Sequence, residues 1–173
     1  MADDASDQEP EGLVSRAPER RDLVELCREL NRLDAKYVVV GGLAIMQAGY
    51  PRTTGDIDLV IDASFENEAK VFKALESLPD QAVKELDPGE VSKFPVVRVA
   101  DEIVVDLMAK ASGIAYAEAA KSVVVHILDG VSIPFASPEL LWRMKIHTRR
   151  EKDAPDLFFL RKWFESEGRT PPE

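Results

Sequence analysis

Two β-branched runs, Tyr37-Val38-Val39-Val40 and Asp56-Ile57-Asp58-Leu59-Val60-Ile61-Asp62, stand on either side of a glycine pair and a stretch of helical composition. Short apolar runs of this kind are buried strands. The chain must therefore leave the first strand at Gly41-Gly42, form a short helix over LAIMQAG, turn through PRTTG and return as the second strand. Side chains alternate along a strand, so Asp56, Asp58 and Val60 share one face while Ile57, Leu59 and Ile61 share the other, which reads as core. The first face carries two carboxylates about 7 Å apart. A third, Asp106, interrupts the apolar run EIVVDLMA on the face of Val104. An aspartate inside an apolar strand is costly unless it is paired, solvated or metal-bound. In the simpler reading, Asp56 is a turn residue after Gly55 and Asp106 lies at a solvated strand edge.

The remaining pattern mixes both kinds of element. Helices are expected over about 18–33, where Leu23, Leu26, Cys27 and Leu30 recur at helical spacing, and over about 66–78. VVRVA and EIVVDLMA form one hairpin; SVVVHIL and VSIPFA form a second through Asp129-Gly130. A helix begins at SPELLWRMKIH with Ser137 as its N-cap, and a last helix covers about 154–165 with Asp153 as its cap. Hairpin-joined strands interspersed with helices predict an α+β fold, a mixed β-sheet packed by helices, and not a doubly wound parallel sheet. The expected organisation is a disordered acidic tail over 1–17, one domain over 18–167 (core 35–135, C-terminal helices 137–167) and a short tail over 168–173.

Three carboxylates converging on one spot repel one another and resist ionisation. A divalent cation removes that penalty, and Mg²⁺ takes carboxylate oxygens together with substrate phosphates. Two such ions can activate an attacking hydroxyl and stabilise a leaving pyrophosphate. Backbone N–H groups at Gly41 and Gly42 offer a phosphate cradle; the plainer alternative is a tight connection. A P-loop and the dinucleotide fingerprint are absent, and an EF-hand is excluded because the sixth position from Asp56 is Ile61. A net charge of −10 and a pI near 4.8 argue against general duplex-DNA binding. The single cysteine, Cys27, permits no intrachain disulfide and fits a reducing compartment. With no apolar run near the about 18 residues a membrane span needs, and no signal-peptide pattern at the N-terminus, the expected location is the cytoplasm.

Taken together, VVVGGLAIMQAGYPRTTGDIDLVI resembles the motif of the nucleotidyltransferase (polymerase-β-like) superfamily. There a Gly-Gly or Gly-Ser turn precedes an Asp-x-Asp strand by a short helix, and a third carboxylate follows, matched here by Asp106. Arg52, Thr54, Asp56, Ile57, Asp58 and Leu59 look most like the minimal and AbiEii-like groups, which include toxins of toxin–antitoxin systems. The segment LLWRMKIHTRREKDAPDLFFL is similar to the closing signature of that group, with Lys145, Asp153 and Asp156 in register. The resemblance spans about 35–165. It implies transfer of a nucleoside monophosphate from a nucleoside triphosphate to an acceptor hydroxyl on a protein, a tRNA end or a small molecule. It implies Mg²⁺ or Mn²⁺ held by Asp56, Asp58 and Asp106, and the triphosphate held by Gly41, Gly42, Arg52, Thr54 and Lys145. A partner protein, a non-catalytic interaction module and an antibiotic-modifying enzyme remain alternatives. The sequence departs from many members at Gly42, where they carry a serine.

Arg143, Lys145, His147, Arg149, Arg150 and Lys152 form a basic run, with Lys145, Arg149 and Lys152 on one helical face. That face is either a clamp on phosphate or a solvated helix end. Arg52 is placed to reach a phosphate or to pair with Asp58. His126 and Cys27 are read as structural, and Trp142, Phe158, Phe159 and Trp163 as core.

Overall fold

The computed structural model describes residues 14–173. The part of the expected N-terminal tail over 1–13 lies outside the described residues. The rest of it is tied down: Ser15 donates to the Asp101 carbonyl, and Arg16 pairs with Asp22 and Glu102.

Helix α1 (Arg20–Arg32) leads into strand β1 (Tyr37–Val40), helix α2 (Gly41–Gln47) and strand β2 (Asp56–Ile61). Helix α3 (Phe65–Leu75), a 3-10 turn (Ala82–Glu85) and short helix α4 (Glu90–Lys93) carry the chain to the hairpin β3 (Val97–Ala100) and β4 (Val104–Met108). A small ribbon, β5 (Lys110–Ala111) and β6 (Ile114–Ala115), and helix α5 (Tyr116–Ala119) precede the second hairpin, β7 (Val123–Leu128) and β8 (Val131–Ala136). Helix α6 (Pro138–Lys145), a 3-10 turn (Glu151–Asp153) and helix α7 (Ala154–Ser166) close the chain.

The six long strands form one mixed sheet in the order β3-β4-β2-β1-β8-β7. β2 runs antiparallel to β1 and parallel to β4, and β1 runs parallel to β8. The expected mixed sheet and both hairpins are present. Asp129 and Gly130, at φ 50° and 81°, form the two-residue turn of the second hairpin.

Ile57, Leu59 and Ile61 are fully buried, as the alternation predicts, but so is Val60. Past Asp58 the sheet is covered on both faces, so the polar face of β2 is confined to its first three residues. Cys27 and Leu30 are fully buried, and Trp142 packs edge-on against Phe164. Phe158 departs from the expectation: it is 66% exposed, because the apolar face of α7 runs through Leu160 and Phe164 instead.

Two further corrections concern the C-terminal part. α6 ends at Lys145, and Arg149 sits at φ 54°, so Lys145, Arg149 and Lys152 do not share a helical face. Asp153 precedes α7 as expected, but its side chain makes no capping bond. It is turned instead toward Lys145, Thr148 and Arg150. The closing segment is held in place, since the buried Trp142 indole donates to the Pro172 carbonyl.

One buried amide holds the loops around β1 and β2. Asn67 accepts from the Lys36 N–H and donates to the carbonyls of Lys36 and Asp62, all at 2.7–2.9 Å. Asn67→Ala removes three hydrogen bonds and leaves the Lys36 N–H and the Asp62 carbonyl without them, while the Lys36 carbonyl keeps the Asp62 N–H. It should cost about 2–3 kcal/mol in chemical denaturation, a loss large enough to separate it from substitutions at exposed positions of α3.

Candidate active site

The sheet register draws the site as a row across four strands. Val40 on β1 faces Asp58 on β2; Asp58 faces Asp106 on β4; Asp106 faces Arg98 on β3. Asp56 stands two residues before Asp58 on the same face. One carboxylate oxygen from each of Asp56, Asp58 and Asp106 lies within 4.8 Å of the others. The interruption of the apolar run at Asp106 is therefore no edge position: β4 is flanked on both sides, and Asp106 is only 5% exposed.

The three carboxylates are unequally compensated. The Arg98 guanidinium makes two 2.9 Å bonds to Asp106 and a 3.4 Å contact to Asp56. Asp58 has no such counter-charge in contact. Burial pushes its carboxyl up to about 7, and the charges of Asp56 and Asp106 add to the shift, with Lys145 acting weakly against it. Burial and the neighbouring Asp106 also raise Asp56. Oxygen-only donors, mutual repulsion and a site half open to solvent suit a hard divalent cation such as Mg²⁺ or Mn²⁺. Asp56, Asp58 and Asp106 are the residues that could hold it.

The glycine pair sits against this row. Gly41, at φ 67°, turns the chain from β1 into α2, a conformation that costs other residues strain. A β-carbon there would lie 2.1 Å from Asp58 Oδ2. At Gly42 an added β-carbon would stand 2.7 Å from Thr54 Cβ and 3.0 Å from Arg52 Nη2. A serine at Gly42 would thus require Thr54 and Arg52 to move, which gives a physical reason for the departure at that position. α2 starts at the glycines and not after them, and both glycines line the same cleft.

Arg52 does not pair with Asp58. Its Nη1 is bound by both oxygens of Asp156, at 2.6 and 2.5 Å. Nη2 is left beside Gly42. Lys145, 8% exposed, lies between Asp153 at 3.0 Å and Asp156 at 3.1 Å. Burial alone would raise Asp153, but hydrogen bonds from Thr148, Lys145 and Arg150 together outweigh it and hold the carboxyl at about 2. Asp153 and Asp156 are almost wholly buried and carry this network from the C-terminal helices to the glycine turn. Of the remaining basic run, Arg150 and Lys152 line the cleft, while Arg143 pairs with Glu118. The cleft has a volume of about 1080 Å³ and is lined by Gly41, Gly42, Arg52, Thr54, Lys145 and all three aspartates. Arg98 escaped the sequence reading. A lone arginine in VVRVA carries no signal until the register puts it opposite Asp106.

Known structures share this architecture. A candidate nucleotidyltransferase from Thermotoga maritima matches 84% of this chain and 92% of its own, at a TM-score of 0.52 and 20% identity. The fold is that of the nucleotidyltransferases. An antigenic nucleotidyltransferase-like protein from Paracoccidioides brasiliensis shares the nucleotidyltransferase fold over 82% of this chain and 74% of its own, at a TM-score of 0.52 and 19% identity. No protein-family model matches the sequence, and no curated protein does. Among the described residues, no helix of this nucleotidyltransferase fold is long and apolar enough to cross a membrane.

Asp58 makes stability pH-dependent with a definite sign. Its folded value lies above the ordinary 3.8, so its contribution is complete below that value and lost as pH rises through about 7. In chelator, thermal melts of the wild type should fall relative to Asp58→Asn between pH 4 and 8, since asparagine cannot ionise. Mg²⁺ should stabilise the wild type only toward the upper end of that range, and Asp58→Asn at no pH.

Proposed function

We propose that this chain is a metal-dependent nucleotidyltransferase that moves a nucleoside monophosphate from a nucleoside triphosphate to an acceptor hydroxyl. The observation that carries the reading is the convergence of Asp56, Asp58 and Asp106 within 4.8 Å, beside a glycine turn at the wall of a large cleft. Mg²⁺ or Mn²⁺ on this triad would polarise the α-phosphate and stabilise the pyrophosphate that leaves.

The chain's own groups then have distinct tasks. The Gly41 and Gly42 amides and the outward Nη2 of Arg52 hold the triphosphate, with Thr54 closing the turn beneath them. Asp56 and Asp58 anchor the cation and the phosphate end. Asp106 completes the triad and accepts the proton of the attacking hydroxyl, whose oxygen bonds to the α-phosphorus as the bond to the β-phosphate oxygen breaks. Lys145 acts through its positive charge on Asp58 and by fixing Asp156, since its ammonium is already held between two carboxylates. The AbiEii-like subgroup, a role in a toxin–antitoxin pair and a protein or tRNA acceptor rest on the similarity of Arg52–Leu59 and of Lys145, Asp153 and Asp156 alone.

Calorimetric titration with ATP, GTP, CTP and UTP, with and without Mg²⁺ or Mn²⁺, tests the reading. At least one triphosphate should bind in a metal-dependent way, and Asp56→Asn/Asp58→Asn should abolish that binding while remaining folded. A folded wild type that binds none of the four would sink the catalytic assignment and favour a non-catalytic module. Gly41→Ala offers a second check. The added methyl displaces Asp58, so metal-dependent nucleotide binding should weaken by at least about tenfold, the equivalent of roughly 1.4 kcal/mol.

A further inference from the structure

The two edges of the sheet are built differently. The β3 edge is short and guarded: Pro95 stands just before it, and Arg98 projects from it. Charges, prolines and short length are the usual means of keeping an open edge from pairing. The β7 edge has none of them. Its six residues, Val123 to Leu128, include no Asp, Glu, Lys or Arg, although the chain as a whole stands at −10. Val125 is 57% and Ile127 71% exposed.

The hairpin fixes which backbone groups face outward. Asp129 and Gly130 both have positive φ, the mark of a type I′ turn, in which the flanking residues form a hydrogen-bonded pair. Leu128 pairs with Val131, so Leu128, His126 and Val124 are the residues bonded to β8. The N–H and C=O groups of Val123, Val125 and Ile127 therefore point to the open edge.

We infer that β7 is a self-association edge, through which two copies of this chain pair antiparallel about a two-fold axis at Val125. Around that axis Val125 meets Val125, and Val123 meets Ile127. These are the residues with outward backbone groups, so the register uses every donor and acceptor of the strand that is unpaired among the described residues, about six hydrogen bonds in all. Lys121, in the turn just before β7, and Asp129, in the turn just after it, are thereby brought to the same end of the paired strands, once at each end. Among the described residues, exposed Lys121 has no ion-pair partner and exposed Asp129 has only a 3.5 Å contact to Arg20. An isologous contact must be self-complementary, and opposite charges at the two ends of one strand meet that requirement. The triad lies on β2 and β4, with β1 and β8 between it and β7, so both clefts stay open in the pair.

Sedimentation of the full chain from about 1 µM to about 1 mM covers the affinities of small interfaces. The wild type should dimerise within that span. Val125→Lys, at a half-exposed position, should stay folded by its melting curve and remain monomeric. Lys121→Gln and Asp129→Asn should each weaken the dimer about three- to tenfold, and the double variant no more than either alone. The register has its own readout. Residues in a hydrogen-bonded antiparallel pair stand about 5.5 Å apart at Cα, within disulfide reach, so Val125→Cys should cross-link to itself under mild oxidation and Val124→Cys should not. Cys27, fully buried, does not compete. A monomer throughout overturns the inference. So does a dimer that Val125→Lys leaves intact, or one that cross-links through Val124→Cys in preference to Val125→Cys.

Discussion

Like charge brought together in a partly dry place is the constraint that organises this molecule. Asp56, Asp58 and Asp106 could avoid one another on a flexible chain, yet adjacent strands hold them in one register row. The resulting repulsion is relieved only on one side, where Arg98 grips Asp106 and touches Asp56. Asp58 carries the residue of the problem as a carboxyl raised to about 7. A site strained in this way favours the arrival of positive charge, and perturbed carboxylates in a cleft are where function is sought.

The cationic side of the cleft is arranged on the opposite plan. Arg52 is held through Nη1 by Asp156, and Lys145 by Asp153 and Asp156; both carboxylates are buried and belong to the last helix and the turn before it. Removing either carboxylate would free a cation from its orientation and strand its partner in a low-dielectric region. α6 and α7 are therefore more than a cover on the sheet. They set the direction of the arginine beside Gly42, and so connect the end of the chain to the turn near its beginning.

The glycine pair joins these two systems. Gly41 admits Asp58 to a place no side chain could share, and Gly42 admits Thr54 and Arg52. The distances explain why the turn is made of two glycines: each lacks the one atom that would collide with a different half of the site.

Much of this was legible in order along the chain. The β-branched runs, the hairpin turn at Asp129-Gly130, the Ser137 cap and the alternation that puts Asp56 and Asp58 on one face follow from local stereochemistry, which depends on neighbours a few residues away. The likeness of that local pattern to nucleotidyltransferases agreed with the fold. Strand pairing was not legible, because the partner of a strand is set by packing over the whole sheet. Hence Arg98 became visible only when β3 lay beside β4, Arg52 turned out to answer to Asp156, 104 residues away, and the basic run lost its helical face where α6 stops at Lys145. The sequence by itself determined the six strands of the main sheet, though not the small β5–β6 ribbon, and where the carboxylates sit on them. Only the tertiary structure decided which charges meet, since ion pairs between distant segments depend on a register that no local periodicity encodes.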